Sequence, residues 1–308
     1  MDSKRMLKPL NSFWGRTSQL TVLALLSIST HPAFADTPIS IQPSQTQSAV
    51  VQRANEEDSI NNNPYSFSAY QPSYVLPYYY TETPDNQVYA GNTPNNQQLS
   101  RSEIKYQFSF KVPVWQITAK DQLYLAYTQM SYWQAYAGSA YFRETNYEPE
   151  VFDSHQLNYD IADGWTTNFL NVGAMHQSNG KGGDLERSWN RAYVQAITSK
   201  GNWMVTVKPW YVFHDSTYER DNPDMTRYMG HGDIVAAYKY NTQVFSLTLR
   251  NEAESGFSRG AEMLTWSFPI SRRLRAYVQL YSGYGQSLIE YNHYTNGAGV
   301  GVSLSDWL

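Results

Sequence analysis

The 308-residue chain contains no cysteine, so no disulfide framework holds it together, although an exported protein of this length often has one. It also lacks a run of the ~20 apolar residues that a helix needs to cross a bilayer, which argues against a helical membrane protein. Charge of either sign is sparse. With 23 Lys and Arg against 27 Asp and Glu the net charge is −4, which speaks against nucleic acid as a partner and against a polybasic membrane anchor. No zinc-type ligand spacing and no phosphate-cradling glycine loop occurs.

What the chain has instead is aromatic residues. It carries 26 Tyr and 9 Trp, yet its mean hydropathy is −0.56. A soluble domain this aromatic normally shows longer apolar runs. Aromatics dispersed through a polar-looking chain suit a membrane β-barrel, whose wall alternates apolar and polar residues and whose rims carry aromatic girdles. A secreted β-sandwich is the competing architecture on composition alone.

The first residues read as a secretory signal. Lys4, Arg5, Lys8 and Arg16 form a basic segment, Leu20 to Ile28 a short apolar one, and Ala33-Phe34-Ala35 a small-x-small cleavage pattern. Residues 1–35 are therefore expected to be removed, leaving Asp36 as the mature start. Residues 36–100 are rich in Gln, Asn, Ser, Thr and Pro and bury too little apolar surface to fold alone. They are expected to form a disordered or extended N-terminal arm, with YQPSYVLPYYY (70–80) as a segment able to pack on the main domain.

From about residue 101 the pattern turns to period two, with turn signals roughly every ten residues. The expected fold is an all-β, transmembrane antiparallel β-barrel of about 12 strands over 101–308. Strands are expected at 103–116, 121–136, 142–159, 164–178, 188–199, 202–214, 232–240, 243–252, 258–268, 273–283, 286–294 and 297–306. In the last of these Ala298, Val300, Val302 and Leu304 alternate with Gly299, Gly301, Ser303 and Ser305. That is an apolar face outward and a small, polar face inward, and closing the sheet would pair every edge, as immersion in lipid requires.

His176 and Ser178 stand two apart on strand 164–178 and so share a face. The same face carries Leu170, Val172 and Ala174, which marks it as the lipid side. On the next strand Asn190 lies with Ala192, Val194 and Ala196, while Arg191 takes the opposite, polar side. The three polar groups thus form a Ser-His-Asn set: a nucleophile, a base, and a group that holds the imidazole in one tautomer. Polar groups on a lipid-facing wall are costly unless they serve a purpose or sit at the interface. If they are catalytic, the substrate is already in the membrane, and lipid esters are the expected target. Gln129 shares an apolar face with Leu123, Leu125 and Tyr127; an amide there is expected to find a partner across a two-fold axis. His155, His214, His231 and His293 have no serine and acid on a common face.

The segments YTQMSYWQ (127–134), FRETNYEPEVF (142–152), HQSNGKGGDLERSWNR (176–191), NWMVTVKPWYV (202–212), DNPDMTRYMG (221–230) and YSGYGQSLIEYN (281–292) closely resemble outer-membrane phospholipase A. The resemblance covers roughly 100–308. It implies a 12-stranded barrel in the bacterial outer membrane and calcium-dependent hydrolysis of phospholipid acyl esters at either glycerol position, lysophospholipids included. It also implies activation by homodimerisation. Carried onto this chain, it makes Ser178 the nucleophile, His176 the general base and Asn190 its orienting group. The oxyanion falls to backbone N–H groups at Ser178 to Gly180 and a calcium-bound water.

For calcium, the resemblance places a loop carbonyl at Lys181, a side-chain ligand at Glu186 where the family pattern has serine, and a partner-chain carbonyl at Ser139. A carboxylate of a second calcium site, in the monomer, maps to Gly183, with Asp184 next to it, and its companion maps to Asp221. Gln129 takes the place of a dimer-contact glutamine. The alternative is a barrel that kept the fold without catalysis, as a pore or a structural protein. Conductance across planar bilayers without lipid hydrolysis would identify it.

Overall fold

In the computed structural model, which describes residues 47–61, 66–251 and 255–308, a single antiparallel sheet closes on itself. A two-residue strand β1 (Ser68–Ala69) precedes twelve wall strands. These are β2 (Ser73–Thr81), β3 (Ser102–Gln116), β4 (Asp121–Trp133), β5 (Phe142–Ala162), β6 (Trp165–Ser178) and β7 (Ser188–Lys200), followed by β8 (Trp203–Phe213), β9 (Gly232–Tyr240), β10 (Gln243–Arg250), β11 (Ala261–Pro269), β12 (Arg275–Tyr284) and β13 (Tyr294–Ser305). Each pairs with its sequence neighbours, and β13 returns to β2, so no wall strand has a free edge. The connections at one end are tight turns, as at Asp163-Gly164, where both residues take positive φ of 50° and 77°. At the other end they are long.

Side chains sort as the two-residue period requires. Val151, Val172, Val194, Leu264, Leu280 and Val300 are exposed on the outer wall, while Lys105, Arg143, Asn171, Arg191, Lys208 and Gln279 are buried inside. Most interior charges are paired, and the Lys105 ammonium donates instead to Gln279 Oε1 at 2.7 Å. Arg143 bonds Glu103 at 2.7 Å and Glu290 at 2.8 Å, Arg191 bonds Glu148 at 2.7 Å, and Lys208 reaches Glu150 at 3.3 Å. Pairing is what makes such a core tolerable, since an uncompensated buried charge is strongly destabilising.

Three sequence expectations are corrected. The barrel begins at Ser73, not near 101, because β2 occupies the place between β13 and β3. Tyr74, Leu76 and Tyr79 turn inward from it, and Tyr74 stacks on Tyr277 at 4.8 Å. Second, 286–294 is not a strand. Gly285 (φ +70°) breaks the run, and Leu288, Ile289 and Tyr291 bury inside the long-loop end of the barrel. There the backbone N–H of Leu288 donates to Asn146 Oδ1 at 3.0 Å. A short apolar stretch between turn signals does not by itself separate a strand from a loop that packs inward.

Third, the polar arm is not simply extended: Ala49–Asn61 forms a helix, α1, at the tight-turn end. Its apolar contribution is small, chiefly Val50 beside Met204, Val235 and Ala237. Polar contacts do the rest. The Arg53 guanidinium donates to the carbonyls of Asp306, Trp307, Ala69 and Tyr70, and Glu57 pairs with Lys111 at 2.8 Å. The expected signal segment, 1–35, lies outside the described residues.

Candidate active site

β6 and β7 run in register where the candidate residues stand: His176 faces Asn190, and Ser178 faces Ser188. Both strands turn the alternate set outward. Val172 and Ala174 are exposed on β6 and Val194 on β7, while Met175, Trp189 and Arg191 are buried on the inner side. His176, Ser178 and Asn190 are each partly buried on the outer wall, at the long-loop end. The His176 Nδ1 lies 2.8 Å from Asn190 Oδ1. An amide oxygen only accepts, so Nδ1 carries the proton and Nε2 presents its lone pair. That is the form a general base needs. The Ser178 hydroxyl is not bonded to the imidazole here; such contacts commonly tighten only around the substrate.

The turn after Ser178 is held by a residue the sequence did not single out. Asn179 is buried, and its side chain accepts from the backbone N–H of Arg187 at 3.0 Å and of Lys181 at 3.3 Å while donating to the Leu185 carbonyl at 2.8 Å. Gly180 takes φ +63°, and a Cβ there would stand 3.0 Å from the Tyr147 ring. Conformation and space therefore both favour glycine at the candidate oxyanion position. Tyr147 on β5, level with Ser178 on β6 and Gln129 on β4, forms the wall beside Ser178.

Asp215, also unforeseen, caps a short helix α2 (Ser216–Asp221) in the loop between β8 and β9. It accepts from the backbone N–H groups of Thr217 and Tyr218, and its other oxygen takes the Asn190 side-chain N–H at 3.0 Å. The Tyr218 amide bond, then the Asn190 and Thr217 bonds and the nearby His176, hold its carboxyl below the usual range. No local motif marks a link between residues 190 and 215.

The expected calcium ligands fall into separate groups. Glu186 and Asp221 converge: the Arg220 guanidinium lies 3.4 Å from a Glu186 oxygen and 2.8 Å from an Asp221 oxygen, both measured from Nη2. Two carboxylates are the hard oxygen ligands that calcium takes, although no group of three or more acids or histidines gathers there among the described residues. Asp184 is not drawn into that pair by any bond of its side chain; its carbonyl accepts from Arg187 at 3.0 Å. Lys181 sends its ammonium inward, 2.6 Å from the Arg143 carbonyl. The Ser139 carbonyl accepts from Gln97 at 2.7 Å, inside the same chain.

Gln129 is half-buried on the outer wall, and its amide does not need a partner chain for its hydrogen bonds, contrary to expectation. Tyr127 donates to its Oε1 at 2.9 Å, and its Nε2 donates to Ser131 at 3.2 Å. The amide is satisfied along its own strand.

Known proteins resemble this chain in sequence and in fold. The sequence profile of the phospholipase A1 family matches residues 50–304. Phospholipase A1 of Klebsiella pneumoniae is 36% identical over 296 residues, covering 94% of this chain and 99% of the relative. That of Escherichia coli K12 is 38% identical over 251 residues, 80% of this chain and 84% of the relative. Among solved structures, outer membrane phospholipase A from Escherichia coli superposes with a TM-score of 0.74 at 36% identity, covering 79% of this chain and all of that one. The Salmonella typhi outer membrane phospholipase dimer with bound calcium gives 0.76 at 34% identity, covering 82% and 98%.

Proposed function

This chain belongs to the phospholipase A1 family, and we propose that Ser178, His176 and Asn190 cleave phospholipid acyl esters on its outer wall. The observation that carries the reading is the 2.8 Å His176–Asn190 bond, made on the apolar exterior of the barrel beside Ser178. A hydrolase with its base on that face takes substrate from the membrane plane. Nε2 of His176 accepts the Ser178 proton as Oγ attacks the ester carbonyl. The Gly180 backbone N–H stabilises the resulting oxyanion, and the imidazolium returns the proton to the departing glycerol oxygen. Water then releases the fatty acid by the same relay. Both glycerol positions, and lysophospholipids, are within its scope because the wall is open from the side.

A sulfonyl fluoride is expected to modify Ser178 alone, detected by peptide mass spectrometry. Modification at another serine with activity lost would move the nucleophile. The filled lumen supports catalysis over conductance: Arg143, Lys105 and Gln279 are buried across it.

Glu186 and Asp221, with the Lys181 carbonyl, are the residues that would hold calcium, and its charge would stabilise the oxyanion through a bound water. Chelation is expected to lower hydrolysis by about 10²- to 10³-fold, the effect of one oxyanion donor. Glu186→Ala is expected to raise the calcium concentration needed for half-maximal activity. Full activity in excess chelator would remove the metal from the reaction.

The active form is proposed to be a homodimer with Gln129 in the contact. Since Gln129 already has partners on its own strand, its contribution is modest. Gln129→Ala is expected to weaken association by about 1 kcal/mol, the scale of interhelical polar contacts in membranes. Sedimentation equilibrium in detergent reads this directly, and an unchanged monomer–dimer equilibrium would take Gln129 out of the interface.

A further inference from the structure

We propose that Asp215 is a positioning residue for the relay, fixing the orientation of the Asn190 amide and giving an otherwise uncharged set a negative terminus. The inference rests on the Ser178–His176–Asn190 reading and extends it by one residue.

The argument begins with what an asparagine alone can do. Its amide has an accepting oxygen and a donating NH₂ of nearly equal size, so it can face a histidine either way round. With oxygen toward Nδ1 the imidazole holds its proton there and leaves Nε2 free to act as a base. With NH₂ toward Nδ1 the proton is forced to Nε2, and the base is lost. Replacing an orienting aspartate with asparagine in a triad can be severely damaging for this reason. A relay built on asparagine therefore needs a second device that chooses the face.

Asp215 supplies it. A carboxylate accepts and does not donate, so the Asn190 NH₂ is drawn to Asp215 Oδ2, at 3.0 Å, and the oxygen is left for His176, at 2.8 Å. The chain of bonds then has one polarity from carboxylate to imidazole. Asp215 is itself held: its second oxygen accepts from the Thr217 and Tyr218 amides at 3.0 and 2.9 Å. Tyr218 is fully buried, so the cap is anchored to the body of the barrel.

Other charges surround the pair without replacing it. His214 and Glu219 bond each other at 2.8 Å, and Arg220 is engaged by Asp221 and Glu186. On β7 the neighbouring Arg191 points inward to Glu148. Asp215 is the carboxylate that meets the Asn190 amide, which in turn meets His176. When serine attack creates the imidazolium, that carboxylate is its counter-charge at one remove.

Asp215→Asn preserves the helix cap, since asparagine is as good an N-cap as aspartate, but removes the charge and the one-way acceptor. Asp215→Ser also keeps a cap and is too short to hold Asn190. Both variants are expected to fold as the parent does and to lose about tenfold in kcat on micellar phospholipid, with KM little changed. The acid limb of kcat/KM is expected to move to lower pH, because the imidazolium has lost a facing negative charge. Glu219→Gln, an equal charge loss on the same loop, is expected to leave that limb in place.

A second readout does not depend on turnover. In a Ser178→Ala background, the His176 imidazole followed by NMR is expected to titrate at lower pH with Asp215→Asn than without it. An unchanged titration, or a kcat loss with no shift of the acid limb, would overturn the proposal and leave Asp215 a helix cap. Wild-type protein that hydrolyses no phospholipid would instead refute the catalytic reading, and the NMR comparison would still decide the role of Asp215.

Discussion

Ser178→Ala is expected to lower phospholipid hydrolysis on the order of 10⁵-fold while the barrel still folds. Removing the nucleophile from a serine relay costs about as much as removing the whole set, because the remaining members have nothing to activate. What survives is the background from binding and oxyanion stabilisation, about 10³- to 10⁴-fold over water. Folding is expected to be unaffected. Ser178 ends β6 on the outer wall, partly exposed, and no buried partner depends on its hydroxyl. The measurement is release of fatty acid from mixed micelles, with circular dichroism and electrophoretic migration before and after heating as controls. Hydrolysis near the wild-type rate in the folded variant would end the assignment.

The largest effect on stability is expected at Arg143. Its guanidinium is 2% exposed and makes two bonds to Glu103, at 2.7 and 2.8 Å, and one to Glu290, at 2.8 Å. It also lies over the Tyr132 ring, 4.4 Å from its centroid. Arg143→Met fills much of the same volume but strands two buried carboxylates. Breaking such a set from one side costs about 3–5 kcal/mol. Urea unfolding from lipid vesicles reads the loss, and Glu103→Gln with Glu290→Gln in the same chain should recover most of it. A loss below about 1 kcal/mol would mean that water reaches these acids and that the triad is not a structural core.

How far the sequence was legible depends on how local each signal is. The outward face of Leu170, Val172, Ala174, His176 and Ser178 could be read directly, because side-chain direction in a strand follows from counting. Asn190 could be placed on the same face of the adjoining strand for the same reason, and the pairing His176–Asn190 bears that out. The strand at 73–81 was hidden within a polar, Pro-containing region. Its membership in the barrel is a contact with β13 and β3, more than 200 and about 30 residues away respectively. The segment 286–294 misled in the opposite sense. Its apolar residues are genuine core, but Leu288, Ile289 and Tyr291 bury inside the barrel and not in a neighbouring strand.

The sequence by itself determined the class of wall and the side on which Ser178, His176 and Asn190 stand, the placement from which a membrane substrate is proposed. These follow from period-two geometry and from the cost of polar groups facing lipid. Only the tertiary structure decided which strand closes the barrel, how the interior charges pair, and where Asp215 meets Asn190. Such contacts join residues with no fixed spacing, and their energies come from desolvation and exact partner geometry, which exist only once the chain has closed. The same tertiary packing brought Arg220 within 3.4 Å of Glu186.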